Sequence, residues 1–326
     1  MSNSFGNIFR ITIFGSSHAE SVGITIEGAP KGIALSADMF TADLDRRRPT
    51  LSGETARKEE DIPVIEGLDP EGKTTGEAIT ITFRNADKRS GDYSHLRIHP
   101  RPSHADLVQL RKYGNDADIA GGGMASGRMT VALVAAGVVA KRILANVTFA
   151  TQLVSVNGVT DSSKFNDIID SVAREGDSVG GVVECRVKNI KPTLGEPFFD
   201  SAESVISHLL FSIPGVKGVE FGDGFAGTAK RGSERNDTII DATGTTLTNN
   251  EGGINGGITN GNEIVLRVAI KPTPSIAKKQ TTYDFACDAT TPLTIGGRHD
   301  ACIARRAVVA VEAMVAVALA DLLLRA

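Results

Sequence analysis

The sequence has no tryptophan and only three cysteines, Cys185, Cys287 and Cys302, odd in number and far apart. With no Cys-x-x-Cys pair and no histidine pair at ligand spacing, neither a disulfide framework nor a metal site is read, and a reducing compartment is expected. There is no surplus of positive charge: 35 Lys and Arg against 39 Asp and Glu give a net charge of −4 and a pI near 5.9. That balance argues against a dedicated nucleic-acid or anionic-membrane binder. There is also no unbroken apolar run of membrane-spanning length. The most apolar stretch, 307–324, is interrupted by Glu312 and Asp321 and reads as a buried helix. The first residues lack a basic segment followed by an apolar one, so no signal peptide is read and a soluble cytoplasmic protein is expected. No Pro/Ser-rich linker, charge block or shift in composition divides the chain, so a single domain over 1–326 is preferred.

What the sequence has in excess is glycine. Its 35 glycines in 326 residues are about 11%, against a usual ~7%. They show no period, which excludes collagen-like and low-complexity chains. They call for tight turns or close backbone approaches.

Strand-like runs occur at 8–14, 22–27, 79–83, 179–187, 216–221 and 264–270, and helical periodicity at 37–47, 105–113, 129–145, 164–174, 202–211 and 303–324. Ser36 is a candidate N-cap for the first helix, and Asp200 or Ser201 for the fifth. The stretches 22–47 and 182–212 share the order strand, Gly/Pro loop, helix, which hints at an internal duplication. Because strands and helices do not alternate regularly, α+β with antiparallel sheets is expected rather than a doubly wound parallel sheet.

Two motifs mislead. Gly67-Leu-Asp-Pro-Glu-Gly72-Lys73-Thr74 matches the P-loop pattern, but Pro70 has no N–H, Asp69 and Glu71 repel phosphate, and a strand follows where a helix is needed. Gly222-Asp-Gly224-Phe-Ala-Gly227 matches GxGxxG, yet the residues after it cannot open the apolar-faced helix that a dinucleotide fold requires.

The chemistry lies elsewhere. His18, in Gly15-Ser-Ser-His-Ala19, follows a strand, and His104, in Arg101-Pro-Ser-His-Ala-Asp106, opens a helix. The helix dipole disfavours the cationic form of an imidazole there and suits it to carry protons. His208 sits within an amphipathic helix, where a structural role fits better. Arg57, Arg101, Arg128 and Arg298 fall in loops, and guanidinium forks bind phosphate and carboxylate bidentately. The clusters Gly121-Gly-Gly-Met-Ala-Ser126-Gly-Arg128 and Gly252-Gly-Ile-Asn-Gly-Gly257 would let backbone approach a flat or phosphorylated ligand. Together these features describe an anion-handling enzyme with one or two histidines as proton donors.

The ordered set of motifs resembles the chorismate synthase family over nearly the full length. It comprises Ser4-Phe-Gly-Asn-Ile-Phe-Arg10, Asp45-Arg-Arg-Arg-Pro49, Arg101-Pro-Ser-His-Ala-Asp106, Gly195-Glu-Pro-Phe-Phe-Asp200, the 212–225 and 252–258 segments, Lys271-Pro-Thr-Pro-Ser-Ile276 and Gly297-Arg-His-Asp300. The resemblance implies a β-α-β sandwich, a homotetramer, and a lyase of the shikimate pathway toward aromatic amino acids. The implied reaction is 1,4-anti-elimination of phosphate from 5-enolpyruvylshikimate 3-phosphate to give chorismate, requiring reduced FMN. NADPH is a candidate electron source; whether the chain reduces its own flavin stays open, and since no dedicated reductase domain is read, a separate flavin reductase is preferred. Carried over by motif, His18 would protonate the leaving phosphate, His104 would sit by the flavin, and Asp300 would assist removal of the ring proton, with Ser17 and Ser126 in the connecting network. Arg47, Arg101, Arg128 and Arg298 would hold substrate, Arg298 also facing the flavin. Met124, Ala125, Ser126, Pro214, Gly215, Gly256, Lys271, Pro272, Thr273, Pro274 and Ser275 would line FMN. The chain departs from the family pattern at Ser16, Ala19, Met124 and Glu251, and its loop after Pro49 is shortened, with Arg57 the candidate for a missing arginine. A diverged non-catalytic FMN- or anion-binding paralogue stays open as the alternative.

Overall fold

The computed structural model describes residues 3–87, 90–297 and 299–326. Alternation drives the first sheet: Ile79, Ile81 and Phe83 of β5 (Ile79–Arg84) face the core while Thr80 and Thr82 face away. β5 pairs with β3 (Ser21–Glu27) and β4 (Val64–Glu66), and β3 with β2 (Arg10–Gly15), which β1 (Ser4–Phe5) extends. All of these pairs are antiparallel. The second sheet runs β6 (Thr148–Val156), β7 (Gly181–Lys188), β11 (Ile264–Ile270), β8 (Val216–Phe221), again antiparallel throughout. Two hairpins, β9 with β10 (Ile254–Asn255, Ile258–Thr259) and β12 with β13 (Gln280–Asp284, Ala289–Leu293), stand apart from both sheets. The antiparallel α+β architecture expected from the sequence is the one observed.

Helices fill the space between the sheets. α3 (Thr130–Ile143) packs on β2, β3 and β5, α8 (Ala304–Arg325) packs on β6 and β7, and the two helices pack on each other. At their crossing, a β-carbon on Gly137 would lie 2.4 Å from the Ala313 β-carbon, so only glycine lets the backbones come this close. α1 (Asp38–Arg47) and α5 (Ala202–Ser212) flank this pair. α2 (Asp106–Tyr113), α4 (Phe165–Arg174) and two single turns, α6 (Gly224–Gly227) and α7 (Gly232–Arg235), lie outside it.

α8 is apolar and long enough to cross a membrane by length and composition, but most of it is buried inside the protein. Its two acidic residues are matched within that core, as a buried charge demands. Glu312 accepts from both terminal nitrogens of Arg46 at 2.8 Å and pairs with Lys141. Asp321, fully buried, accepts from the backbone N–H groups of Asn7, Ile8 and Phe9.

The two sheets repeat one connectivity. The order β2-β3-β5-β4, with α1 after β3 and α3 after β5, matches β6-β7-β11-β8, with α5 after β7 and α8 after β11. Both sets of helices therefore end in one place, where the N-termini of α3 and α8 meet the C-termini of α1 and α5 around a cavity of about 450 Å³. One capping expectation fails: α1 has no side-chain cap, since Ser36 contributes only its carbonyl, to the Met39 N–H. Ser201 does cap α5, its hydroxyl accepting from the Ser204 N–H at 3.1 Å.

Candidate active site

The β2–β3 turn brings Ser17 and His18 to one wall of this cavity, and the segment before α2 brings Arg101 and His104 to another. Between the two histidines runs the turn 121–123, whose glycines all have positive φ. A side chain on Gly121 would strike the His18 ring, and one on Gly122 would lie 3.6 Å from His104. The Tyr93 ring meets His18 edge-on at 5.2 Å and carries the Arg101 guanidinium over its face at 5.7 Å. His104 Nδ1 lies 2.7 Å from the Asp106 carboxylate.

Seven cationic side chains and four carboxylates line the cavity among the described residues, a local reversal of the chain's net charge. The N-termini of α3 and α8 add partial positive charge. The arginines differ in what they already hold. Arg101 is almost saturated: Nε and Nη2 bind Asp106 and Nη1 binds Ser275. Arg128 donates to Asn85, Asp61 and the Arg84 carbonyl. Arg57 grips Ser17 through both hydroxyl and carbonyl, and turns its other edge to Glu59. Arg306 binds the Arg47 carbonyl and the Asp300 carboxylate, which also accepts from the Thr55 N–H.

Arg47 is the exception. It is 3% exposed, its contact with Asp61 is a long 3.5 Å, and its Nε has no partner. Burial pushes its pKa down to about 9 despite Asp61, and the neighbouring Arg306 and Arg128 charges add to the effect. A buried guanidinium this poorly compensated favours an incoming anion. Elsewhere, burial, reinforced by Arg101 and His104, lowers the His299 imidazole, and burial with nearby Lys217 lowers the Lys271 ammonium.

Of the residues singled out in the sequence, the cavity gathers Ser17, His18, Arg47, Arg101, His104, Ala125, Ser126, Arg128, Pro214, Gly215, Lys271, Thr273, Pro274, Ser275 and Asp300. Three are not part of its lining. Met124 packs on the hydrophobic core, Pro272 packs beside Gly180, and Gly256 lies in the β9–β10 hairpin, where Gly257 packs on Ser201 near the other end of α5. Arg298 lies outside the described residues. The sequence motifs did not pick out Glu59 and Asp61, which sit in a charged run that looks like a solvated loop yet are buried on arginines. The P-loop-like stretch is a turn whose Glu71 and Lys73 amides are already bound by the Asp69 carboxylate.

A net-cationic cavity at two helix N-termini, with two histidines beside one glycine turn, has the chemistry of an enzyme site suited to a small polyanion and to proton transfer. The family model described as chorismate synthase matches residues 9–324. The chain is 50% identical to the chorismate synthase of Chitinophaga pinensis, covering 99% of this chain and 96% of that one. It is 44% identical to that of Synechococcus sp. (strain CC9902), covering 100% and 98%. A solved structure titled "Crystal Structure of Chorismate Synthase" superposes with a TM-score of 0.74 at 26% identity, covering 98% of this chain and 93% of that one. The chain belongs to the chorismate synthase family and is a lyase of that kind.

Proposed function

We propose that the cavity takes 5-enolpyruvylshikimate 3-phosphate beside reduced FMN and eliminates phosphate to form chorismate. The observation that carries this is the under-compensated Arg47 at the end of α1, facing the same space as His18, His104 and Asp300. A substrate with a phosphate and carboxylates supplies the negative charge this wall lacks.

The residues present suit a flavin as well as a substrate. The cavity volume lies in the range that encloses small ligands, and the Ile213–Gly215 and Thr273–Ser275 segments form one wall of it. Ala125, Ser126, Pro214, Gly215, Lys271 and Thr273–Ser275 would hold FMN. When bound and reduced, FMN supplies an electron-rich ring that assists loss of phosphate and removal of the ring proton without net oxidation. His18 protonates the departing phosphate, and Arg57 holds the Ser17 turn that carries it. His104 exchanges a proton at the nitrogen turned away from Asp106. Asp300, kept in place by Arg306 and the Thr55 amide, orients the group that receives the ring proton. Arg47 and Arg128 hold the substrate's anionic groups. The electrons that keep FMN reduced come from NADPH through a separate reductase. The enzyme works in the cytoplasm as a homotetramer. The repeated connectivity of 10–143 and 148–325 reflects an internal duplication within a single domain.

His18→Ala and His104→Ala test the assignment. Each should lower kcat by about 100-fold or more, with a much smaller change in KM. Near-wild-type turnover in either variant removes that residue from the mechanism.

A further inference from the structure

We infer that Asp106 is a positioning residue that dictates which nitrogen of His104 carries a proton, and so which nitrogen meets the ligand. The inference rests on the proposed proton-handling role of His104. Asp106 is 1% exposed and is the first residue of α2. Its Oδ1 lies 2.7 Å from His104 Nδ1 and 2.7 Å from Arg101 Nη2. Its Oδ2 accepts from Arg101 Nε at 2.7 Å and from the Arg101 backbone N–H at 3.1 Å. Burial alone would raise this carboxyl, but the hydrogen bonds from Arg101 and His104 outweigh it and hold it well below the usual carboxylate range.

An ionised carboxylate can only accept hydrogen bonds. Nδ1 of His104 is therefore the donor whether the ring is neutral or cationic, and all proton exchange falls to Nε2. Nε2 lies beside Gly122, where even a built side chain would stand 3.7 Å away, so the turn leaves that nitrogen room. The two-pronged contact with Arg101 offsets much of the aspartate's charge. Asp106 thus sets the direction of the His104 ring. Arg101 is itself fixed from the far side by Ser275 at 2.9 Å, which ties the histidine's orientation to the 271–275 segment.

Asp106→Asn separates orientation from packing, because it keeps the shape and removes one acceptor. Arg101 takes the single amide oxygen, the NH₂ group faces His104 Nδ1, and that nitrogen must now accept, which moves the proton to Nε2. ¹⁵N-histidine NMR of the ligand-free protein, with the His104 signals assigned by their loss in His104→Ala, reads this directly. Wild type should be protonated at Nδ1 and the variant at Nε2. With reduced FMN and substrate, Asp106→Asn should lower kcat by about 100-fold or more, and by less than about 3-fold when added to His104→Ala. An unchanged tautomer overturns the inference, and so does an equal loss of kcat with and without His104. If Asp106→Asn does not fold, Asp106→Glu takes its place: it should keep Nδ1 protonated, and loss of that state overturns the inference. A wild-type enzyme without turnover would contradict the proposed reaction while leaving the tautomer measurement to stand or fall by itself.

Discussion

The backbone of Gly121 lies close against the imidazole of His18: a β-carbon there would fall 2.2 Å from Cε1 and 2.4 Å from Nδ1. Gly122, next in the same turn, stands beside His104 at ordinary contact distance, so the turn constrains His18 far more than His104. Gly121→Ala must move His18 as well as accept a φ of +58°, the latter costing about 1–2 kcal/mol. Gly114→Ala is the control for steric contact, since Gly114 also has a φ of +58° but nothing within 4 Å, and its ψ of −128°, against 18° at Gly121, makes its backbone penalty the larger of the two. We expect kcat to fall at least about 10-fold in the first and to hold in the second, although both lose thermal stability. Equal turnover in the two variants would mean that the turn does not hold His18.

Arg47 should respond to anions. Inorganic phosphate is expected to raise the thermal midpoint, since a ligand at 100 times its Kd stabilises the folded state by about 2.7 kcal/mol. Arg47→Met should lose most of that shift. A shift of the same size in both proteins would place phosphate elsewhere.

Glu312 links stability to pH. Burial alone would raise its pKa, but the Arg46 and Lys141 contacts prevail and lower it from 4.5. The charged carboxylate therefore adds stability fully above pH 4.5, and that contribution fades as pH falls through the depressed folded value. Glu312→Gln should cost about 3 kcal/mol or less at pH 7, because both cationic partners are partly solvated. Urea midpoints of the two proteins should converge as the pH drops below 4.5. A constant gap would contradict the coupling.

Gly137 sets two effects against each other. Helix propensity favours alanine by about 1 kcal/mol, but the added carbon would meet the Ala313 β-carbon at 2.4 Å and its α-carbon at 2.6 Å. Overpacking of that kind costs about 1–3 kcal/mol, so Gly137→Ala should destabilise. Ala313→Gly should not rescue it, since the α-carbon remains. A stabilised Gly137→Ala would show that α3 and α8 can move apart.

The long elements were legible in the sequence because their period is their burial. Helix 303–324 was expected and Ala304–Arg325 is observed, and strand 264–270 matches β11. β6 was not read, although the repeated connectivity gives it the place that β2 has in the first sheet. Its sequence, Thr148-Phe-Ala-Thr-Gln-Leu-Val-Ser-Val156, mixes small polar residues into the alternation, and a bulge breaks its register near Leu153. At the site, residue types were readable but partners were not. Nothing near Asp61 shows that it meets Arg128, 67 positions away, or that Arg101 is held by Asp106 and Ser275. The loop after Pro49 reads as shortened only against the family pattern. That Arg57 reaches Ser17 emerges only once the loop is folded.

The proposed electron supply, through a separate reductase, predicts a difference from a self-sufficient flavoenzyme. NADPH alone should leave FMN oxidised in the presence of the protein, and adding a flavin reductase should start turnover. Rapid bleaching of the flavin absorbance by NADPH alone would contradict the need for a second protein.

The most direct test of the central claim is an anaerobic assay of the wild-type protein with photoreduced FMN and 5-enolpyruvylshikimate 3-phosphate. Catalytic turnover should release phosphate and chorismate in a one-to-one ratio, with the flavin still reduced at the end and no product formed with oxidised FMN. No phosphate release under reducing conditions, or release without chorismate, would contradict the account.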